Sequence, residues 1–281
     1  MISNDGNPMT YEHIRYEMTE GIATITLDRP EKLNAWNPVM EGEVRTAIGL
    51  ASTDDAVRVI VLTGAGRGFC SGADMSRLEK LSQGAVRHAP PERVDEAWLA
   101  DAPPELRSRF SYFAGVPKPI IAAINGPCAG VGLVIACYCD IRIASTDALV
   151  LTAFARLGLI AEHGIAWILP RLIGQGAAMD LLLSSRKVSA AEAFALGLFN
   201  RLVAPEQMMA EVRSYAKSLS EAVSPRSVRI IKHQLWEAQF QSLGEALALA
   251  NVELPKSFES GDFREGVSHF VQKRKASFAG N

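Results

Sequence analysis

The sequence predicts an α/β domain with a mostly parallel sheet, followed by a helical C-terminal region, and three observations carry that expectation. First, "VRVIVLTG", "KPIIAAING" and "CDIRIAS" are continuous apolar, β-branched runs, the pattern of strands covered on both faces. Second, helical segments lie between them, so strand and helix alternate across residues 11–150. Third, after Val188 the strand signals thin out and amphipathic helices take over.

Taken in order, "HIRYEM" and "IATITLD" read as two short strands with Glu20-Gly21 as the hairpin turn between them. "NPVMEGEVRTAIGLAS" opens a helix, with Asn37 as its cap and Pro38 at the first helical position. The segment from Leu78 to Arg109 is broken by Pro90, Pro91, Pro103 and Pro104. Long irregular inserts of this kind tend to be functional lids. "SAAEAFALG" offers a capping box, Ser189 with Glu192, and ends at Gly197. "PEQMMAEVRSYAKSLSEAV", "SPRSVRIIKHQLWEAQF" and "SLGEALALANVELPKSF" complete a helical region. The expected division is a core over 1–200 and a helical region over 201–281. That region lacks the apolar stripe to stand alone, so it packs on the core or on a neighbouring subunit.

Composition excludes several classes. With 281 residues, 48% hydrophobic and 21% charged, the chain suits an ordinary globular protein with a sizeable core. A formal net charge of −2 gives no general electrostatic reason to bind nucleic acid or anionic membrane. The N-terminus lacks the charged-then-apolar pattern of a signal peptide, and a cytoplasmic location is expected. The most apolar stretch is interrupted by Asn125, Gly126, Pro127 and Asp140, which argues against a membrane span. Cys70, Cys128, Cys137 and Cys139 follow no zinc-ligand spacing, so reduced thiols and no metal are expected.

Two glycine-containing turns follow buried strands: "GAGRGFCSGADMSRL" and "NGPCAGVGLVIACYCD". Neither has the lysine of a phosphate loop or the spacing of a dinucleotide fingerprint. Both offer backbone N–H groups at helix starts, and two such groups converging on one point form an oxyanion hole. Further on, "RLGLIAEHGIAWILPRLIG" carries Glu162 and His163 inside an apolar run. That carboxylate either favours the N-terminus of the following helix or moves a proton.

The phrases "DRPEKLNAWN", "GRGFCSGADMSRL", "KPIIAAINGPCAGVGLVIACYCDIRIAS", "LGLIAEHGIAWILPRLIG", "SAAEAFALGLFNRLV" and "FVQKRKASF" occur in that order. Together they resemble the crotonase superfamily, the enoyl-CoA hydratases and isomerases. The resemblance implies a crotonase (ClpP-like) spiral of β-β-α units with a C-terminal helical trimerisation region, assembled as a homotrimer or a hexamer made of two trimers. It implies an acyl-CoA substrate with CoA as part of the substrate, no separate cofactor, and an enolate held by two backbone N–H groups. Matched residue by residue, those donors are Ala73 and Val131. The family usually has glycine at the second position, so the hole requires φ and ψ at Val131 that suit a branched residue.

The acid–base residues depart from the hydratase pattern. Where that pattern has two glutamates, this sequence has Val134 and Phe154, which cannot grip a water between two carboxylates. Glu162 stands where the dienoyl-CoA isomerases of the family carry a catalytic aspartate. The resemblance therefore implies double-bond isomerisation with Glu162 as the single proton shuttle, against an apolar wall of Val134, Phe154, Leu159 and Ile160. His163 is open between a hydrogen bond in the acyl pocket and a place at a subunit interface. For CoA the resemblance implies Lys32, Leu33 and Ala35 near the adenine, Arg29 and Lys32 on phosphates, Asp74 and Met75 alongside, and Phe270 and Lys273 reaching a neighbour's CoA. Asp74 also reads as a helix cap. Trp98, with Leu99, Leu106 and Phe110, is expected in the insert's acyl wall. Two rival functions stay open: hydrolysis of a C–C bond in a cyclic diketone, and a CoA-thioester-binding protein without catalysis.

Overall fold

The computed structural model describes residues 10–85, 94 and 96–281; the first nine residues and Pro90 and Pro91 lie outside the described residues. Strands β1 (Ile14–Thr19) and β2 (Ile22–Leu27) pair antiparallel across Glu20-Gly21. Both turn residues have positive φ, +52° and +76°, which matches the twist of a two-residue hairpin. Helix α1 (Pro38–Thr53) then crosses to β3 (Val59–Gly64), and α2 (Met75–Ser82), the insert and α3 (Tyr112–Gly115) lead to β4 (Ile120–Ile124). Strand β5 (Cys128–Ala129), helix α4 (Val131–Tyr138), β6 (Ile141–Ser145) and β7 (Leu149–Leu151) follow. Helices α5 (Ile165–Ile173) and α6 (Gln175–Ser184), strand β8 (Val188–Ser189), helix α7 (Ala190–Ala195) and strand β9 (Arg201–Val203) complete the core.

The main sheet runs β1-β2-β3-β4-β6-β9, parallel from β2 onward, and β5, β7 and β8 form a small second sheet. Along β3, Ile60 and Leu62 enter the larger core, with Val44 and Ile48 of α1. Val59 and Val61 enter the opposite cluster, with Ile121, Ile143, Met208 and Val212. Both faces are covered, which is why the strand reads as an unbroken apolar run. The second layer comes from α8 (Met208–Glu221). With β9 in the sheet and α8 on its face, the core layers extend past the boundary expected at residue 200.

Helices α9 (Pro225–Glu237), α10 (Leu243–Glu259) and α11 (Gly261–Gln272) form the rest. The buried Lys232 fastens α9 to the core, donating to Asp140 Oδ2 at 2.7 Å and to the Lys118 carbonyl at 3.0 Å. On α10 and α11, Leu243, Leu247, Val252, Phe258, Val267 and Phe270 stay exposed in the protomer. Local signals mostly hold: Asn37 Oδ1 accepts the Met40 N–H at 2.9 Å at the start of α1. The capping box at Ser189 forms only by half. Ser189 accepts the Glu192 N–H, but the Glu192 carboxylate turns to Arg186 because a cation is a stronger partner than a backbone N–H. The complete box is at Ser242 and Glu245.

Three loops meet at the C-terminal ends of β2, β3 and β4. Asn34, fully buried at φ +56°, ties the first to the second: its Oδ1 accepts the Arg29 N–H (2.8 Å) and its Nδ2 donates to the Ala65 (3.0 Å) and Gly68 (2.8 Å) carbonyls. Asn125 Nδ2 ties the third to the second through the Gly64 and Gly66 carbonyls, both at 2.9 Å. The backbones are so close that a Cβ on Gly126 would lie 2.1 Å from the Arg67 carbonyl oxygen. Asn34→Ala strands three buried backbone groups, and urea denaturation should show a loss of about 2–4 kcal/mol. An unchanged midpoint and slope would refute this role of the knot.

Candidate active site

The second and third loops approach each other in register. Cys70 and Cys128 form an isolated parallel bridge, with the Ala129 N–H donating to the Cys70 carbonyl at 2.9 Å and the Cys70 N–H to the Pro127 carbonyl at 3.1 Å. Two residues on, Gly72 (φ +99°) and Gly130 (φ +48°) face each other; a Cβ on either would lie 3.7 Å from the other's Cα. One residue further stand Ala73 and Val131. Ala73 bridges Trp36: the Trp36 N–H donates to the Gly72 carbonyl (2.7 Å) and the Asp74 N–H to the Trp36 carbonyl (2.9 Å). In such a parallel pairing the Ala73 N–H points away from Trp36. Val131 is the first residue of α4, where an N–H has no intrahelical acceptor. Neither N–H has a backbone or side-chain acceptor among the described residues. The positive φ falls on Gly130 rather than on Val131, so the branched side chain is accommodated without strain.

Glu162 lies outside the first turn of α5, whose cap is Gly164; that turn contains no acid. It stands two residues before that cap, with its carbonyl accepting the Ile165 N–H at 3.1 Å, so an acid at the helix N-terminus remains one reading of the position. Its carboxylate is 28% exposed, with Oε2 3.8 Å from His163 Nε2. The Tyr138 hydroxyl, at the end of α4, donates to the His163 carbonyl at 3.1 Å, and a Cβ on Gly164 would lie 2.3 Å from that hydroxyl oxygen. The helix that begins with Val131 thus also pins the Glu162–His163 turn. The imidazole of His163 meets Phe110 edge to face at 4.7 Å, and Phe110 meets Trp36 at 5.8 Å. An unbroken line runs Ala73, Trp36, Phe110, His163, Glu162.

Val134 and Phe154 are buried, so no acid occupies the two places of the hydratase glutamates. Leu159 packs against the core, but Ile160, expected in the apolar wall, is 79% exposed on the protomer because it sits at the outside of the turn before α5. Trp98 is another residue expected in the acyl wall. It packs edge to face with Tyr112 at 5.9 Å and against Gly49 of α1, and it lines a separate cleft of about 610 Å³ shared with Trp236. Leu99 and Leu106 are core residues, and Phe110, directly after the insert, meets His163.

Arg29 differs from the expectation of phosphate pairing. Its buried guanidinium donates to Asp74 Oδ2 at 2.9 Å and to the Ala35 carbonyl at 2.6 Å, so those donors are spent inside the fold. Asp74 caps α2, accepting the Ser76 hydroxyl (2.8 Å) and N–H (3.0 Å). Those Ser76 bonds, Arg29 and the nearby Lys32 outweigh burial and hold the carboxyl down at about 2. Lys32 is half exposed, Met75 is exposed and Ala35 is buried. Arg29, Lys32, Arg77 and Lys80 line, with Asp74, a cleft of about 590 Å³. Arg77 and Lys80 escaped the sequence reading, although their spacing of three on a helix was a signal. Phe270 and Lys273 are exposed at the end of α11, where Lys273 takes φ +52°. The four cysteines are buried, and burial pushes the Cys70 and Cys137 thiols up to about 12. No helix of the described residues is long and apolar enough to cross a membrane.

The family model for enoyl-CoA hydratase/isomerase matches residues 17–281. A probable enoyl-CoA hydratase of Rhodobacter capsulatus is 37% identical, covering 97% of this chain and 100% of its own. The 1,2-epoxyphenylacetyl-CoA isomerase of Escherichia coli is 34% identical, with 96% and 99% covered. The crystal structure of an enoyl-CoA hydratase from Bacillus anthracis superposes with a TM-score of 0.86 at 27% identity, covering 96% of this chain and 100% of that one.

Asp74 ionises more readily in the folded chain than in the unfolded one, where its value is near 3.8. Its contribution is therefore present above pH 4 and lost as pH falls toward 2. Asp74→Asn should cost about 1–2 kcal/mol at pH 7, with the gap to wild type closing between pH 4 and 2. A gap that stays constant over that range would show that the carboxylate's charge is not what stabilises the loop.

Proposed function

The chain belongs to the enoyl-CoA hydratase/isomerase family, and from that premise we propose that it isomerises the double bond of an acyl-CoA thioester. The thioester oxygen lies between the Ala73 and Val131 N–H groups. Donors fixed before the substrate arrives stabilise charge on that oxygen without reorganising, and this favours the enolate over the neutral thioester. Glu162 removes a proton from C2 of a 3-enoyl thioester. The electron pair left behind delocalises onto the thioester oxygen as a dienolate. The same carboxyl returns the proton at C4, and the double bond moves from C3–C4 to C2–C3. No water or further co-reactant enters the balance, and no cofactor beyond the CoA of the substrate is needed.

The observation that carries this reading is the pairing of one carboxylate, Glu162, with buried Val134 and Phe154 where hydration would call for two acids. The printed activity of the Escherichia coli relative is also an isomerisation of an acyl-CoA. In the same reading Lys32, Arg77 and Lys80 take the CoA phosphates, Leu33 and Ala35 offer backbone contacts to the adenine, and Asp74 and Met75 border that cleft. His163 orients the Glu162 carboxylate. A homotrimer, alone or as a dimer of trimers, would cover the bare faces of α10 and α11 and bring Phe270 and Lys273 to a neighbour's CoA. A cytoplasmic setting belongs to the same reading.

Turnover of matched 3-enoyl-CoA and 2-enoyl-CoA thioesters tests the proposal. Glu162→Gln should lower 3-enoyl isomerisation about 10²–10⁴-fold while thioester affinity stays within about twofold. Hydration of the 2-enoyl thioester that survives in Glu162→Gln would overturn the mechanism.

A further inference from the structure

Glu41 and Arg109 are charged, mostly buried and assigned no role so far. Glu41 lies in the first turn of α1, where an acid is ordinarily explained by the helix dipole. Its hydrogen bonds say otherwise. The N-terminal donor of α1 is taken by Asn37, while both Glu41 oxygens face side chains. Arg109 Nε donates to Oε1 at 2.7 Å, its Nη2 donates to Oε2, and Trp36 Nε1 donates to Oε2 at 3.1 Å. The two side chains are 13% and 25% exposed, which makes this a bidentate, partly desolvated pair rather than a surface contact. Burial opposes the charge on Glu41, but the Arg109 bonds, Trp36 and Arg45 outweigh it and hold the carboxyl below its ordinary range.

What the pair holds is the aromatic line. Arg109 stacks over Phe110 with its guanidinium carbon 4.9 Å from the ring centroid, and Phe110 touches both Trp36 and His163. One carboxylate therefore fixes Trp36 from the α1 side and Phe110, through Arg109, from the insert side. We propose that Glu41 and Arg109 are positioning residues: their ion pair latches the end of the insert so that Trp36 and Phe110 wall the acyl pocket and hold the His163–Glu162 turn in place. The latch sets how large an acyl group the pocket accepts. This part rests on the proposed acyl-CoA function; the positioning of residues 160–165 does not.

The test uses the full chain in its native assembly, as wild type, Glu41→Gln and Arg109→Lys. Amide hydrogen exchange should rise about tenfold over residues 105–113 and over 160–165 in Glu41→Gln, with the sheet unaffected, and Arg109→Lys, which keeps the charge but loses the bidentate bond, should show a smaller rise over the same two stretches. Equilibrium binding of a short straight-chain and a bulky aryl acyl-CoA should differ in wild type, and that ratio should fall about tenfold in Glu41→Gln while free CoA binds as before. Exchange confined to 105–113 would mean a local contact without positioning and would overturn the proposal. Wild type that binds neither thioester would refute the acyl-CoA reading, while the exchange pattern would still decide the latch.

Discussion

The close approach of Gly72 to Gly130 is the constraint on which the rest depends. A Cβ on Gly72 would lie 3.1 Å from the Ala129 carbonyl oxygen, and both glycines carry a positive φ at which a side chain would be strained. Because the glycines absorb the unusual backbone, the residues that follow them can be ordinary ones, and Ala73 and Val131 present N–H groups from neighbouring loops. A side chain on Gly132 would lie 2.5 Å from the Cys70 carbonyl oxygen, so the first turn of α4 is also seated on the other loop. The donors need no side-chain chemistry, only loops held in register. The Asn34 and Asn125 amides hold that register from beneath.

Around this frame the polar groups divide between those spent on building it and those left for a ligand. The Arg29–Asp74 pair is inside the fold, sealing the loop that carries Ala73, and Lys232–Asp140 anchors α9. Buried pairs of this kind contribute specificity of arrangement more than net stability, because desolvation offsets most of the attraction. Lys32, Arg77 and Lys80 stand at the rim of the cleft outside Asp74. Glu162 is the partly exposed acid at the far end of the aromatic line. The chain belongs to the enoyl-CoA hydratase/isomerase family, and its buried Val134 and Phe154 leave Glu162 as the acid beside that line.

Much of this was legible in the sequence, for identifiable reasons. The β3 and β4 runs are apolar on both faces, so strand type and parallel pairing followed from pattern alone. Asn37-Pro38 marked a helix start because both residues act within one turn. The loop glycines and Glu162 were found because collinear phrases resembled known ones. What escaped were facts that depend on three-dimensional competition. Arg29 looked like a phosphate ligand until Asp74, distant in sequence, took its guanidinium. Trp98 looked like pocket lining, but Gly49 offered it a seat on α1. Glu192 gave up its cap to Arg186. Trp36, Glu41 and Arg109 carried no local signal at all, since their link spans the insert.

Held between the Ala73 and Val131 N–H groups, a thioester carbonyl would be polarised. Raman difference spectroscopy of a non-reacting acyl-CoA carrying ¹³C at the thioester carbonyl reads that polarisation directly. The bound carbonyl stretch should move to lower frequency than in water, as two fixed donors drain electron density from the double bond. A bound carbonyl at its solution frequency would contradict the account, because the thioester would then sit outside the hole that the two loops form.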